Sequence, residues 1–214
     1  MGSALVFILW PIRTVRGAVA STGLTAPAPA LQGWMVPPPD RIAGARSVTL
    51  RHAEGHPVAI LDRGDTTEIW DLAAQRSLGP SLPLPWARLA AQRDFSGPYE
   101  ETAVYLFPRT GPGTLLAGTG ASSLPPPEEY AGPRPAYAFH LRPGATRLYV
   151  DALGGEIRAR RNGIWRAYDF AFRLHSFEFT NDGTKRLVLA AVLGLWLLLG
   201  TTGLLMAARK WRRG

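Results

Sequence analysis

Cysteine is absent from the 214 residues. That excludes disulfides, thiolate metal sites, cysteine nucleophiles and iron–sulfur clusters. Histidine is scarce, with His52, His56, His140 and His175 the only four. They form no HExxH motif and no i, i+4 pair on a helical stretch. A Gly-x-Ser-x-Gly elbow is missing, so no Ser/His/Asp triad has a spacing signal behind it. Gly111-Pro112-Gly113 and Gly118 to Ser123 carry no following Lys-Ser/Thr and lie in no strand–helix phosphate context, so they read as loop. Acidic residues are fewer than basic ones, 16 against 24, for a net charge of +8.

Charge is absent altogether from Leu187 to Ala208, LVLAAVLGLWLLLGTTGLLMAA. At ~1.5 Å per residue those 22 positions make a helix of about 33 Å, the length of a membrane crossing. Lys185 and Arg186 precede the run, and Arg209, Lys210, Arg212 and Arg213 follow it. The heavier basic flank puts the short tail in the cytoplasm and the main domain outside a bacterial inner (plasma) membrane. Much of the excess positive charge sits in that tail. The lipid bilayer is therefore the expected partner, and nucleic acid is not.

The 19 prolines and 23 glycines favour turns and strands over long helices. Residues 1–20 read as a partial N-terminal membrane helix or stub whose start is missing, and 21–40 as a Pro-rich linker. An extracytoplasmic domain follows over 41–163. Strands are expected at 47–52, 57–61, 66–72, 102–108, 136–141, 146–150 and 156–161, and a short helix at 86–93. Pro57 and Pro135 lie 78 residues apart, and Asp71 and Asp151 lie 80 apart, which suggests two copies of one hairpin unit. Residues 164–183 form an aromatic juxtamembrane segment in which Trp165, Tyr168, Phe172, Phe177 and Phe179 suit the headgroup region, as does Trp211 after the span. Residues 184–214 hold the span and its basic tail.

Asp151 precedes the turn glycines Gly154 and Gly155, and Asp71 holds the equivalent place in the first copy. An Asp there closes a turn by accepting backbone N–H bonds, so all four are expected to be structural. His52, Glu54 and His56 alternate as metal ligands might on a straight strand, but Glu54-Gly55 is the turn of a solvated hairpin tip. Glu100-Glu101 and Glu128-Glu129 read as solvated turn charges beside prolines. Arg158, Arg160, Arg161 and Arg166 read as a cluster for lipid phosphate. His175, ten residues before Lys185, is the one cofactor-binding candidate, as a haem ligand. A second ligand would have to come from another chain. Gly194, Gly200 and Gly203 would let two spans pack closely in a homodimer.

Arg147-Leu148-Tyr149-Val150-Asp151-Ala152-Leu153-Gly154-Gly155-Glu156-Ile157 resembles the PepSY domain pattern of strand, Asp, glycine turn and returning strand. Ala152 stands where a proline is usual, and Gly154 where a threonine is. Trp165 to Phe170, Arg173-Leu174-His175 and the span after them resemble the tail of PepSY-associated transmembrane proteins. Pro11 to Gly17 resembles the stretch after their first helix. The resemblance implies a small α+β domain of two repeat units, an antiparallel sheet with packed short helices, on a C-terminal transmembrane helix. It also implies a non-catalytic regulatory or interaction role toward a partner protein or peptidase. The alternative is a haem-binding electron-transfer component akin to siderophore-reductase-like membrane proteins.

Overall fold

The computed structural model describes residues 35–211, except 134, 143 and 176–181; within helices, the side chains of 175, 182, 184, 185, 188, 189 and 207–210 are also outside the description. The chain divides into a β-rich unit ending at Arg166 and a helical unit from Ala167 onward. The fold is α+β, with two antiparallel sheets and few helices.

In the β-rich unit a one-turn helix α1 (Pro39–Ile42) leads into strands β1 (Ser47–Ala53), β2 (His56–Asp62), β3 (Thr67–Asp71) and β4 (Arg76–Gly79). These form a four-stranded sheet in sequence order. Helix α2 (Leu84–Asp94) follows, opened by Pro83, Pro85 and a run of good helix formers. Strands β5 (Glu100–Phe107), β6 (Gly113–Gly118), β7 (Ser123–Leu124), β8 (Ala136–Arg142), β9 (Thr146–Asp151) and β10 (Ile157–Arg161) make the second sheet. Its order is β10-β9-β8-β5-β6-β7. Helix α3 (Gly163–His175) starts after β10 and continues into the helical unit, where α4 (Asp182–Trp211) follows.

Alternation puts Val104, Tyr137, Phe139, Leu141, Leu148 and Val150 on one face of the second sheet, packed against Ala87, Ala90 and Ala91 of α2. Small alanines let the helix lie close to bulky strand residues. The other face carries Ala103, Tyr105, Phe107, Ala138 and Tyr149, covered by Tyr130 from the β7–β8 connection. The sheets are tied by a backbone bond from Leu82 N–H to Ala152 O (2.7 Å) and by the Arg51–Glu156 ion pair (2.6 Å).

Two hairpins share one design. In β2–β3 the Leu72 N–H donates to Pro57 O (3.0 Å), and in β8–β9 the Ala152 N–H donates to Pro135 O (3.1 Å). Each time the donor follows an Asp, and four residues past that Asp the backbone is left-handed, at Gln75 (φ 49°) and Gly155 (φ 77°). Each hairpin gains a further antiparallel strand, β4 or β10, then a helix. The β6–β7 strands interrupt only the second copy. They take 113–118 and 123–124 out of a Gly/Ser/Pro stretch, 111–127, whose composition reads as loop, because Thr114, Leu115 and Ala117 pair with β5 although glycines flank them. A single small sheet was the expectation; separate four- and six-stranded sheets are found.

Helix α4 runs for 30 residues. Leu187, Leu193, Leu195, Trp196, Leu197, Leu198, Leu199, Leu204 and Leu205 are all exposed along it. The side chains described without a break run only over positions 190–206. Among the described residues no helix is long and apolar enough to cross a membrane.

Candidate functional site

Asp71, Asp151 and Gly155 make turn bonds, and Gly154 lies in the turn after Asp151. Asp71 Oδ1 accepts the N–H groups of Ala73 and Ala74, both at 2.9 Å. Asp151 Oδ1 accepts Leu153 N–H at 2.9 Å, and its Oδ2 takes Arg158 Nη2 at 2.7 Å. Gly155 N–H bonds back to Asp151 O (2.8 Å) in a left-handed conformation that costs glycine little. A Cβ on Gly154 would stand 3.4 Å from the Arg51 side chain and 3.7 Å from the Asp151 carboxylate, ordinary contact distances.

The hairpin tip between β1 and β2 departs from expectation. Glu54-Gly55 is the turn, and it sets His52 and His56 on different strands. The tip is docked on α2, although Gly55 and His56 remain exposed. His56 stacks on Trp86 with ring centroids 4.0 Å apart, and Glu54 pairs with Arg93 at 2.7 Å. Burial raises the Glu54 pKa, against the opposing pull of Arg93. Among the described residues no group of three or more His, Asp and Glu is placed to hold a metal ion.

The most concentrated electrostatics lie on the Tyr149 face of the second sheet, around Glu129. Glu129, expected to be a solvated turn charge, is instead half-buried and bound on both carboxylate oxygens. Its Oε1 accepts bonds from Arg147 Nη1 (2.9 Å) and Tyr149 Oη (2.8 Å), and its Oε2 accepts Arg166 Nε (3.0 Å). Arg161 Nε donates to the Glu129 carbonyl (2.7 Å), and Tyr130 lies flat on Tyr149 at 4.5 Å. Burial alone would raise the Glu129 pKa, but the bonds from Arg166, Tyr149 and Arg147 outweigh it and lower the value. His140 is beside this group. Burial first, then the Arg147 charge, holds its pKa down to about 4, so it is neutral at pH 7. Thr102, His140, Arg142, Thr146 and Arg147 line an open cavity of about 280 Å³ there.

The arginine cluster assigned to lipid phosphate is likewise corrected. Arg158 holds Asp151 and Glu156, Arg160 holds the buried Asp94 through two bonds, Arg166 holds Glu129, and Arg161 lies 4.2 Å above the Trp165 ring. Glu101 is not a free turn charge either, because Arg88 grips both its oxygens at 2.8 Å. The signal available in the sequence was the alternation of EIRARR, which sends Arg160 and Arg161 to opposite faces of an edge strand. Asp151 and Glu156, which meet Arg158, are local, but Asp94 and Glu129 are far from Arg160 and Arg166 in sequence.

Of the residues expected at a membrane interface, Trp165 and Tyr168 are half-buried, Phe172 is exposed, and Trp211 is 90% exposed. Phe170 and Leu174 are exposed on α3 as well. Phe177, Phe179, residues 1–34 and the end of the tail lie outside the described residues, as does the side chain of His175, whose backbone closes α3. No family model matches the chain, and no curated protein or solved structure is similar to it.

Proposed function

We propose that the chain is a PepSY-like module anchored in the bacterial inner membrane, a non-catalytic interaction protein that holds its two-sheet domain outside the cell membrane and engages a partner protein or peptidase there. The observation that carries the reading is the union of one uncharged run with one ion-paired domain. Helix α4 contains Leu187 to Ala208 without a charge. The two hydroxyls within that uncharged run are satisfied inside the helix, Thr201 and Thr202 Oγ1 each donating to Leu198 O at 2.9 Å. That removes the desolvation penalty two threonines would bring into hydrocarbon. The exposed leucines of α4 would find apolar surroundings in lipid. In the domain, Asp71, Asp94, Glu101, Glu129 and Asp151 are each bound to arginines or backbone N–H groups that fix the fold. Such carboxylates support hairpins and helix docking, and partner binding then falls to the strand edges.

The alternative is a haem-bearing electron-transfer component using His175, favoured by the place of that residue shortly before the span. Two measurements on the full chain decide. Extraction of membranes at alkaline pH should leave it in the pellet; release into the supernatant removes the anchor. The visible spectrum of the detergent-purified protein, with and without added haem, should show no Soret band. A band lost in His175→Ala transfers the assignment to electron transfer.

A further inference from the structure

Four strands lie at sheet edges, β1 and β4 in one sheet and β10 and β7 in the other. Edge strands invite pairing with other chains, and proteins blunt them with bulges, charge or brevity. Three of the four are blunted. Strand β10 is bulged between Ile157 and Ala159 and carries three arginines, β4 has four residues and a register break, and β7 has two residues. Strand β1 is neither bulged nor short, and its one arginine, Arg51, is paired with Glu156. Its seven residues pair with β2 in unbroken register, and Ser47, Val48, Thr49 and Leu50 are all exposed. Val48 and Leu50 are 40% and 57% exposed, on the sheet face that carries Ala59, Leu61 and Trp70.

We propose that the β1 edges of two copies of this chain pair antiparallel about Thr49, joining the two four-stranded sheets into one. The Glu54-Gly55 turn is left-handed at both positions (φ 52° and 85°), which makes Ala53 and His56 a hydrogen-bonded pair. Alternation from there turns the N–H and C=O of Val48 and Leu50 away from β2. A two-fold axis at Thr49 sets those groups against their counterparts, Val48 facing Leu50 of the second copy and the reverse. Ser47 then faces Arg51 of the second copy, and each Arg51 is already neutralised by its own Glu156 at 2.6 Å. No like charges oppose each other from 47 to 51. A five-residue contact falls below the ~1,000 Å² of an interface stable in free solution. The pairing therefore rests on the membrane reading above, in which α4 confines the copies to one bilayer and raises their effective concentration.

The chain has no cysteine, so one introduced thiol reports the contact. In a non-hydrogen-bonded antiparallel pair the two Cα atoms at position 49 stand roughly 4.5 Å apart, within disulfide range. The full chain with Thr49→Cys, reconstituted at low density in phosphatidylethanolamine/phosphatidylglycerol vesicles and mildly oxidised, should give at least tenfold more disulfide-linked dimer than Ser123→Cys on β7. Adding Leu50→Lys, which sets lysine against Val48 of the second copy, should reduce that yield tenfold with the circular dichroism spectrum unchanged. Equal yields from Thr49→Cys and Ser123→Cys overturn the pairing, as does a Thr49→Cys thiol shielded within a monomer. Alkaline extraction of the same vesicles reports the anchor separately: retention without cross-linking defeats the pairing alone, and release defeats the membrane reading.

Discussion

Asp151 does two jobs with one carboxylate, fixing the turn through Leu153 N–H and holding Arg158 across the β9–β10 hairpin. Removing it leaves the Leu153 N–H without its acceptor and the partly buried Arg158 guanidinium with Glu156 alone. Asp151→Ala is expected to lower the domain's stability by about 2–3 kcal/mol, read from the midpoint of a chemical denaturation curve. His140 makes a pH-dependent contribution whose sign follows from its depressed pKa. Above pH ~6.5 it is neutral whether the chain is folded or not, and it has no effect. Between ~6.5 and about 4 the unfolded chain takes up a proton that the folded site refuses, so stability falls as pH falls, and the loss levels off below that window. With partial solvent contact the loss is ~1–2 kcal/mol. His140→Gln should flatten the stability curve over that interval, leaving the carboxylate losses that set in at lower pH.

At the scale of elements, what was legible in the sequence is what is local. The hairpins at 47–62 and 136–151 carry alternation and a turn, and α2 carries its WARLAAQR periodicity, so both were readable and both are found close to the expected bounds. Strand β6 was not readable. Its pairing with β5 depends on a neighbour rather than on Gly113 or Gly118, and turn chemistry dominated the local signal. The Glu129 cluster was illegible for a related reason, since it joins residues from the β7–β8 connection, β9, β10 and the start of α3. The turn role of Asp71 and Asp151 was readable because each bonds within three residues of itself. For α4 the sequence alone supplies the strongest argument, and it yields a test. An arginine near the middle of a span costs ~2.5–3.5 kcal/mol on insertion scales. The double change Leu197→Arg with Leu198→Arg should release the chain from alkaline-washed membranes, whereas Leu197→Ala should leave it in the pellet.

The whole molecule joins a β-rich unit, whose buried carboxylates Asp71, Asp94 and Asp151 are ion-paired or bound into turns, to an apolar helix with basic flanks. The central claim is that α4 crosses the membrane with the domain outside. Single cysteines in this cysteine-free chain test it directly: Ser123→Cys in the domain and Gly214→Cys in the tail. In intact spheroplasts a membrane-impermeant maleimide should label Ser123→Cys fully and Gly214→Cys only after permeabilisation. Labelling of Gly214→Cys alone in intact spheroplasts, or of neither until they are opened, would contradict the account.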